Sequence, residues 1–129
     1  MLAGEVLVIV GAVSGKGLKA AMAVSAIMGA LRGCASQSPA EILGYLNRVL
    51  HGQVSGFVTC SVSYTTADGQ MTHANAANPA PYCNGQEMAV ECGVPLGLVP
   101  EVMYEEKRYA PELNQNRCLR ISSGQWHFP

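Results

Sequence analysis

Between Val6 and Leu31 the chain passes from an apolar strand pattern, through Gly-Ala-Val-Ser-Gly-Lys-Gly, into a helix rich in Ala and Met. A glycine turn that opens a helix gathers free backbone N–H groups at the positive end of the helix dipole, an arrangement suited to phosphate. Two common phosphate motifs fail on spacing. A P-loop ending at Gly15-Lys16 needs glycine where Val10 stands, and Gly17 occupies the place of the Mg²⁺-binding hydroxyl. The dinucleotide fingerprint G-x-G-x-x-A is matched by Gly15 to Ala20, but it requires an acid ending a second parallel strand about twenty residues later. The chain enters a second helix there, and the nearest acid, Glu41, belongs to a capping box.

The rest of the chain is read from its periodicity. Glu5 to Gly11 is a short, β-branched, buried strand ended by glycine. Leu18 to about Leu31 is apolar on nearly all sides, which predicts a buried helix with close neighbours. Ser38-Pro39-Ala40-Glu41 predicts a capped start for a helix carrying Ile42, Leu43, Leu46, Val49 and Leu50 and stopping near Gly52. From Phe57 to Thr66 the period becomes two, and Asp68-Gly69 turns the chain into a second strand, Gln70 to Ala76. Asn84-Gly85 marks another hairpin, between 80–83 and 87–92, and Val102–Tyr109 and Cys118–Ser122 are further strand candidates. Helices segregated from hairpins predict an α+β layered fold, not alternating βαβ units.

Composition sets the class of partner. The 129 residues, 49% hydrophobic and 13% charged, predict one core-rich domain over 1–129. A net charge of -1 offers no electrostatic case for nucleic acid or an anionic membrane. The longest apolar run, Leu18 to Leu31, is shorter than a membrane span and contains Lys19. No basic region precedes an apolar core at the N-terminus, which argues against a secretion signal. Five cysteines without a C-x-x-C pair are read as buried thiols of a reducing compartment, so a cytoplasmic location is expected.

Several separated motifs, in order, carry a resemblance. Val8-Ile9-Val10-Gly11-Ala12-Val13-Ser14-Gly15-Lys16-Gly17 resembles the G-D-V-S-G-K-G segment of bacterial metal-dependent protein phosphatases (PPM), in the sporulation stage II E and sigma-regulator (SpoIIE-like) branch. Pro39 to Asn47 resembles its P-x-x-x-L-x-x-L-N helix and Phe57-Val58-Thr59 its F-V-T strand. Gly69 with His73-Ala74-Asn75-Ala76 resembles its G-x-x-x-x-A-N-A-G hairpin, Asn78-Pro79 its N-P, and Gly93-Val94-Pro95-Leu96-Gly97 its G-x-P-L-G. Together these cover roughly residues 4 to 124. The resemblance implies a partial α-β-β-α layered fold, an antiparallel sheet with two helices packed on one face. It also implies a domain lacking the leading strands and the C-terminal end of the family.

The chemistry implied by the resemblance is hydrolysis of phosphoserine or phosphothreonine. Two Mn²⁺ or Mg²⁺ ions held by aspartates activate the attacking water in that family. Here the position of the metal-bridging aspartate is Ala12, and Ser123, in Ser122-Ser123-Gly124, stands where S-D-G supplies a second aspartate. Asp68, the only aspartate in the chain, is a turn residue. Hard divalent ions need several anionic oxygens, so no metal cofactor and no phosphatase activity are expected of this chain. Only the backbone carbonyl of Val13 is left as a candidate ligand, and Lys16 as a candidate phosphate-binding residue, the plainer alternative for Lys16 being a solvated pair with Lys19. The other functional reading is an active phosphatase of signalling or sigma-factor regulation, seen through an incomplete or altered sequence. The partners implied are a phosphoprotein of the anti-anti-sigma type and a second copy of the chain, covering what the missing strands would leave bare. His73 is read as a solvent-facing or hydrogen-bonded structural residue, and Asn75 and Asn78 as ties for a tight corner.

Overall fold

The computed structural model describes residues 5–14, 17–34, 36–52, 58–79, 82–83, 86–87, 92–109 and 119–120. Strand β1 (Val6–Val13) leads through the glycine turn to helices α1 (Leu18–Gly33) and α2 (Pro39–Leu50). Strands β2 (Val58–Thr65), β3 (Met71–Ala76), β4 (Tyr82–Cys83), β5 (Gln86–Glu87), β6 (Glu106–Tyr109) and β7 (Leu119–Arg120) follow. They form a four-stranded antiparallel sheet in the order β1-β2-β3-β6 and a three-stranded one in the order β5-β4-β7. Both helices pack on one face of the larger sheet, α2 against β2 and β3 and α1 against α2 and β1. The expected α+β architecture is therefore present.

Helix α2 shows why the core sits there. Ile42, Leu43, Leu46 and Leu50 share one face and are fully buried against Val58, Cys60, Val62, Ala74 and Ala76. Burying side chains of that size is the dominant stabilising contribution, about 1.5–3 kcal/mol for each. Ser38 caps the helix by accepting from the Glu41 N–H at 3.3 Å. The reciprocal half of the box is rewired. Glu41 accepts instead from the Ser36 hydroxyl. The Glu106 carboxylate, from β6, takes the Ser38 hydroxyl at 2.9 Å and the Ala40 N–H at 3.2 Å. An anion there suits the positive helix end.

Helix α1 departs from the sequence expectation. Only Ala23 and Ala30 are buried, whereas Leu18, Met22, Val24 and Met28 are 76%, 62%, 49% and 52% exposed. An all-round apolar helix demands cover on every side, and the described residues cover one. The β2–β3 turn also differs in detail. The strands stop at Thr65 and Met71, and the Gly69 N–H closes the turn on Thr66 O at 3.0 Å.

Gly11 is fixed by its neighbours. A Cβ there would lie 2.6 Å from the Thr59 carbonyl oxygen, a backbone atom that cannot swing aside. Gly11→Ala is expected to lower stability by about 1–3 kcal/mol, the usual effect of overpacking, in a urea denaturation series. A change below half a kcal/mol would show that β1 and β2 part without strain.

Candidate functional site

The two faces of β2 do different work. Val58, Cys60 and Val62 point into the helix-side core with Val13, Ile9 and Leu7 of β1. On the opposite face lie Thr59, Ser61 and Ser63, registered with Ala12, Val10 and Val8 of β1 and, for the two serines, with Asn75 and His73 of β3. Ser61, Ser63, His73, Asn75 and Asn78 are all buried. Sequence alternation separates these two faces correctly but does not reveal that the hydroxyl face is enclosed where β2 meets β3.

Ala12 sits at the end of that face. The Thr59 hydroxyl lies 3.2 Å from Asn78 Oδ1 and 3.5 Å from the Ala12 carbonyl oxygen. Asn78 Nδ2 donates to Ser61 Oγ at 3.0 Å. Asn75 grips the backbone of Asn78 on both sides, donating to its carbonyl at 2.6 Å and accepting from its N–H at 2.7 Å. Ala77 is held between them at φ 58°, a left-handed conformation rare for a residue with a Cβ. Neighbouring His73 pairs its Nδ1 with Ser63 Oγ, and its Nε2 has no partner among the described residues. Burial pushes its pKa down to about 4, so the ring is neutral near pH 7.

This donor set is neutral throughout. Glu5, which takes the Tyr64 hydroxyl, precedes the far end of the β1–β2 ladder. Asp68 is engaged with Thr66 and Gln70 in the turn, and Glu106 caps α2. No group of three or more His, Cys, Asp or Glu able to hold a metal occurs among the described residues. Hydroxyls and amides alone do not repay a hard divalent cation for its lost hydration shell. The described residues around Ala12 therefore do not fit a dinuclear Mn²⁺ or Mg²⁺ centre.

Of the positions singled out from sequence, Ala12 and Val13 are placed by β1. The Val13 side chain packs into the helix-side core opposite Val58. Lys16 and Ser123 lie outside the described residues. Cys60 is buried, its thiol pushed up to about 12 by desolvation, and is inert; Cys34 is half-buried and Cys92 exposed, so of the three cysteines whose side chains are described only Cys60 is a buried thiol.

The remaining motifs assemble a scaffold. Asn47 receives the Gly97 N–H at 2.8 Å and donates to Val99 O at 3.0 Å. Leu96 is buried, its N–H on Val58 O at 2.8 Å. The Gly93 N–H meets Asn75 O at 2.9 Å, and a Cβ on Gly93 would come within 2.8 Å of the Tyr104 ring. A separate cavity of about 470 Å³ lies between the end of α1, α2 and residues 102–104, lined in part by Glu41, Tyr45 and Arg48.

The fold, an antiparallel sheet with two helices on one face, matches solved structures of PP2C-type protein phosphatases. The RsbU and RsbW domains of Rv1364c from Mycobacterium tuberculosis superpose with a TM-score of 0.74 at 24% identity, over 92% of this chain and 35% of that one. RsbX in complex with magnesium gives 0.69 at 18%, over 87% and 57%. The PP2C phosphatase domain of SpoIIE from Bacillus subtilis, solved with a fragment of its regulatory domain, gives 0.58 at 11%, over 87% and 39%. The sequence model of the stage II sporulation protein E (SpoIIE) family matches residues 3–114, and the chain belongs to that family. No curated protein sequence matches it. The chain spans between about a third and three-fifths of the length of these solved structures.

Proposed function

We propose that this chain is a SpoIIE-family phosphatase-like module that holds no dinuclear metal centre and acts by binding protein. The observation that carries the reading is Ala12. It stands at the metal-bridging aspartate position of the motif, and a neutral hydroxyl and amide network surrounds it. What survives of the family pattern, Asn47, Asn75, Gly93, Leu96 and Gly97, builds scaffold. Ser123, at the second aspartate position, adds at most a neutral hydroxyl. The domain works in the cytoplasm as a homo-oligomer. No helix of sufficient length and apolarity to cross a membrane occurs among the described residues. The partner is a phosphoprotein of the anti-anti-sigma type. Support comes from structural neighbours that include an RsbU–RsbW pair and a stressosome protein.

Calorimetric titration of the purified chain with Mn²⁺, with turnover of p-nitrophenyl phosphate measured alongside, tests the reading. The expected result is no saturable binding and no Mn²⁺-dependent hydrolysis. Saturable binding of two ions with turnover would establish the active phosphatase instead.

A further inference from the structure

We infer that the cavity over α2 binds a zwitterion of dipeptide size, with its ammonium at Glu41 and its carboxylate at Arg48. The cavity, of about 470 Å³, lies between the end of α1, α2 and residues 102–104, and has the volume of a small-molecule site. Its walls carry two opposite charges that the protein leaves apart. Arg48 is exposed, and its guanidinium folds back so that Nη1 lies 3.7 Å from where a Cβ on Gly44 would stand. Glu41 accepts from the Ser36 hydroxyl through Oε2, which leaves Oε1 open. Neither side chain is in an ion pair among the described residues.

The walls set the chemistry of the occupant. Ser36, which holds Glu41, follows the end of α1, where a helix carries its partial negative charge. That end and the carboxylate together favour an ammonium. Tyr45 stands between the two charges on α2, its hydroxyl 3.8 Å from where a Cβ on Gly33 would stand. Val102, Met103 and Tyr104 form the facing wall, with Met103 96% exposed at the rim, and offer apolar contact to side chains. Seven residues of helix set Glu41 and Arg48 about 10 Å apart. An extended dipeptide spans about 7 Å, a gap the two charged side chains close from either end, whereas a single amino acid is too short to touch both. Gly44 keeps the floor open. A glycine inside a helix costs stability, yet a Cβ here would meet nothing closer than 3.7 Å, so packing within the protein does not demand it.

Titration of the isotope-labelled chain with leucyl-leucine, followed by nuclear magnetic resonance, tests this. The expected result is saturable shifts of Gly33, Gly44, Tyr45, Arg48 and residues 102–104 at millimolar ligand or below, with Ala12, Thr59 and Asn75 unmoved. N-acetyl-leucyl-leucine amide, which keeps the side chains and loses both charges, should shift none of them. Arg48→Gln and Glu41→Gln are each expected to weaken binding of the charged dipeptide at least 10-fold, and added salt to weaken it in the unaltered chain. Both residues are exposed, so the circular dichroism of each variant should match that of the parent. Should a variant misfold, the charged and blocked dipeptides compared on the unaltered chain decide the matter. Absence of saturable shifts overturns the site. Equal affinity for the blocked dipeptide, or undiminished binding in folded variants, overturns the charge recognition that defines it. The cavity lies on the helix side of the sheet, and its test is independent of the Mn²⁺ titration.

Discussion

Asn75→Ala is expected to lower the unfolding free energy by about 3–5 kcal/mol, a large part of the 5–15 kcal/mol available to a typical domain. The Asn75 amide holds both the N–H and the C=O of Asn78, at 2.7 and 2.6 Å, in a corner where both residues are buried. Truncation removes donor and acceptor together, and a buried backbone group deprived of its partner costs about 1–3 kcal/mol. Two further consequences compound the loss. Asn78 positions Ser61 and Thr59, and the clamp holds Ala77 at φ 58°. A left-handed alanine stores about 1 kcal/mol that glycine does not. Ala77→Gly should therefore raise stability by up to about 1 kcal/mol in the native background and recover a similar amount in Asn75→Ala. Chemical denaturation of the four proteins gives the cycle. A loss below 1 kcal/mol for Asn75→Ala would mean that water replaces the amide and that the corner is not closed.

Much of this was readable in the residues, because it depends on local rules. Helix α2 follows from Ser38-Pro39 and the spacing of Ile42, Leu43, Leu46 and Leu50, and it runs from Pro39 to Leu50. Strands β2 and β3 follow from alternation and the Asp68-Gly69 turn. The role of Asn75 as a corner tie follows from its place beside Asn78-Pro79. The departures arise where a distant element supplies the partner. Glu41 has the right spacing to complete its own capping box, but Glu106 arrives from a strand 65 residues away and reorganises that helix start. Val102–Tyr109 has a strand-like composition, yet only Glu106–Tyr109 pairs. Tyr104 is buried instead, its hydroxyl donating to Val94 O at 3.0 Å. The pattern of α1 states what the helix needs, not whether the chain provides it, so a helix read as buried stands largely exposed. The candidate site was legible only as a substitution, Ala12 for an acid. That Ser61 and Ser63 would be sealed with His73 and Asn78, and Thr59 half-buried beside Ala12, was not, since small hydroxyls on alternate positions look the same whether they face water or amides.

Acidification should destabilise the protein through His73 before its carboxylates are reached. Burial holds the folded pKa at about 4, against 6.5 for the free side chain, and Nδ1 is already engaged by Ser63. The folded state thus binds fewer protons than the unfolded chain between these values. Its stability contribution is whole above pH 6.5 and is lost as pH falls from 6.5 towards 4. At about 1.4 kcal/mol per pH unit the full loss is roughly 3 kcal/mol. Asp68 does not share this window. Hydrogen bonding by Thr66 and then Gln70 lowers its pKa below 3.8, so its contribution fades only in stronger acid. His73→Gln, which retains a side-chain amide for Ser63, is expected to flatten the dependence of the melting temperature on pH between 6.5 and 4. Equal slopes in the two proteins over that range would show that His73 reaches water and that the hydroxyl face of the sheet is open.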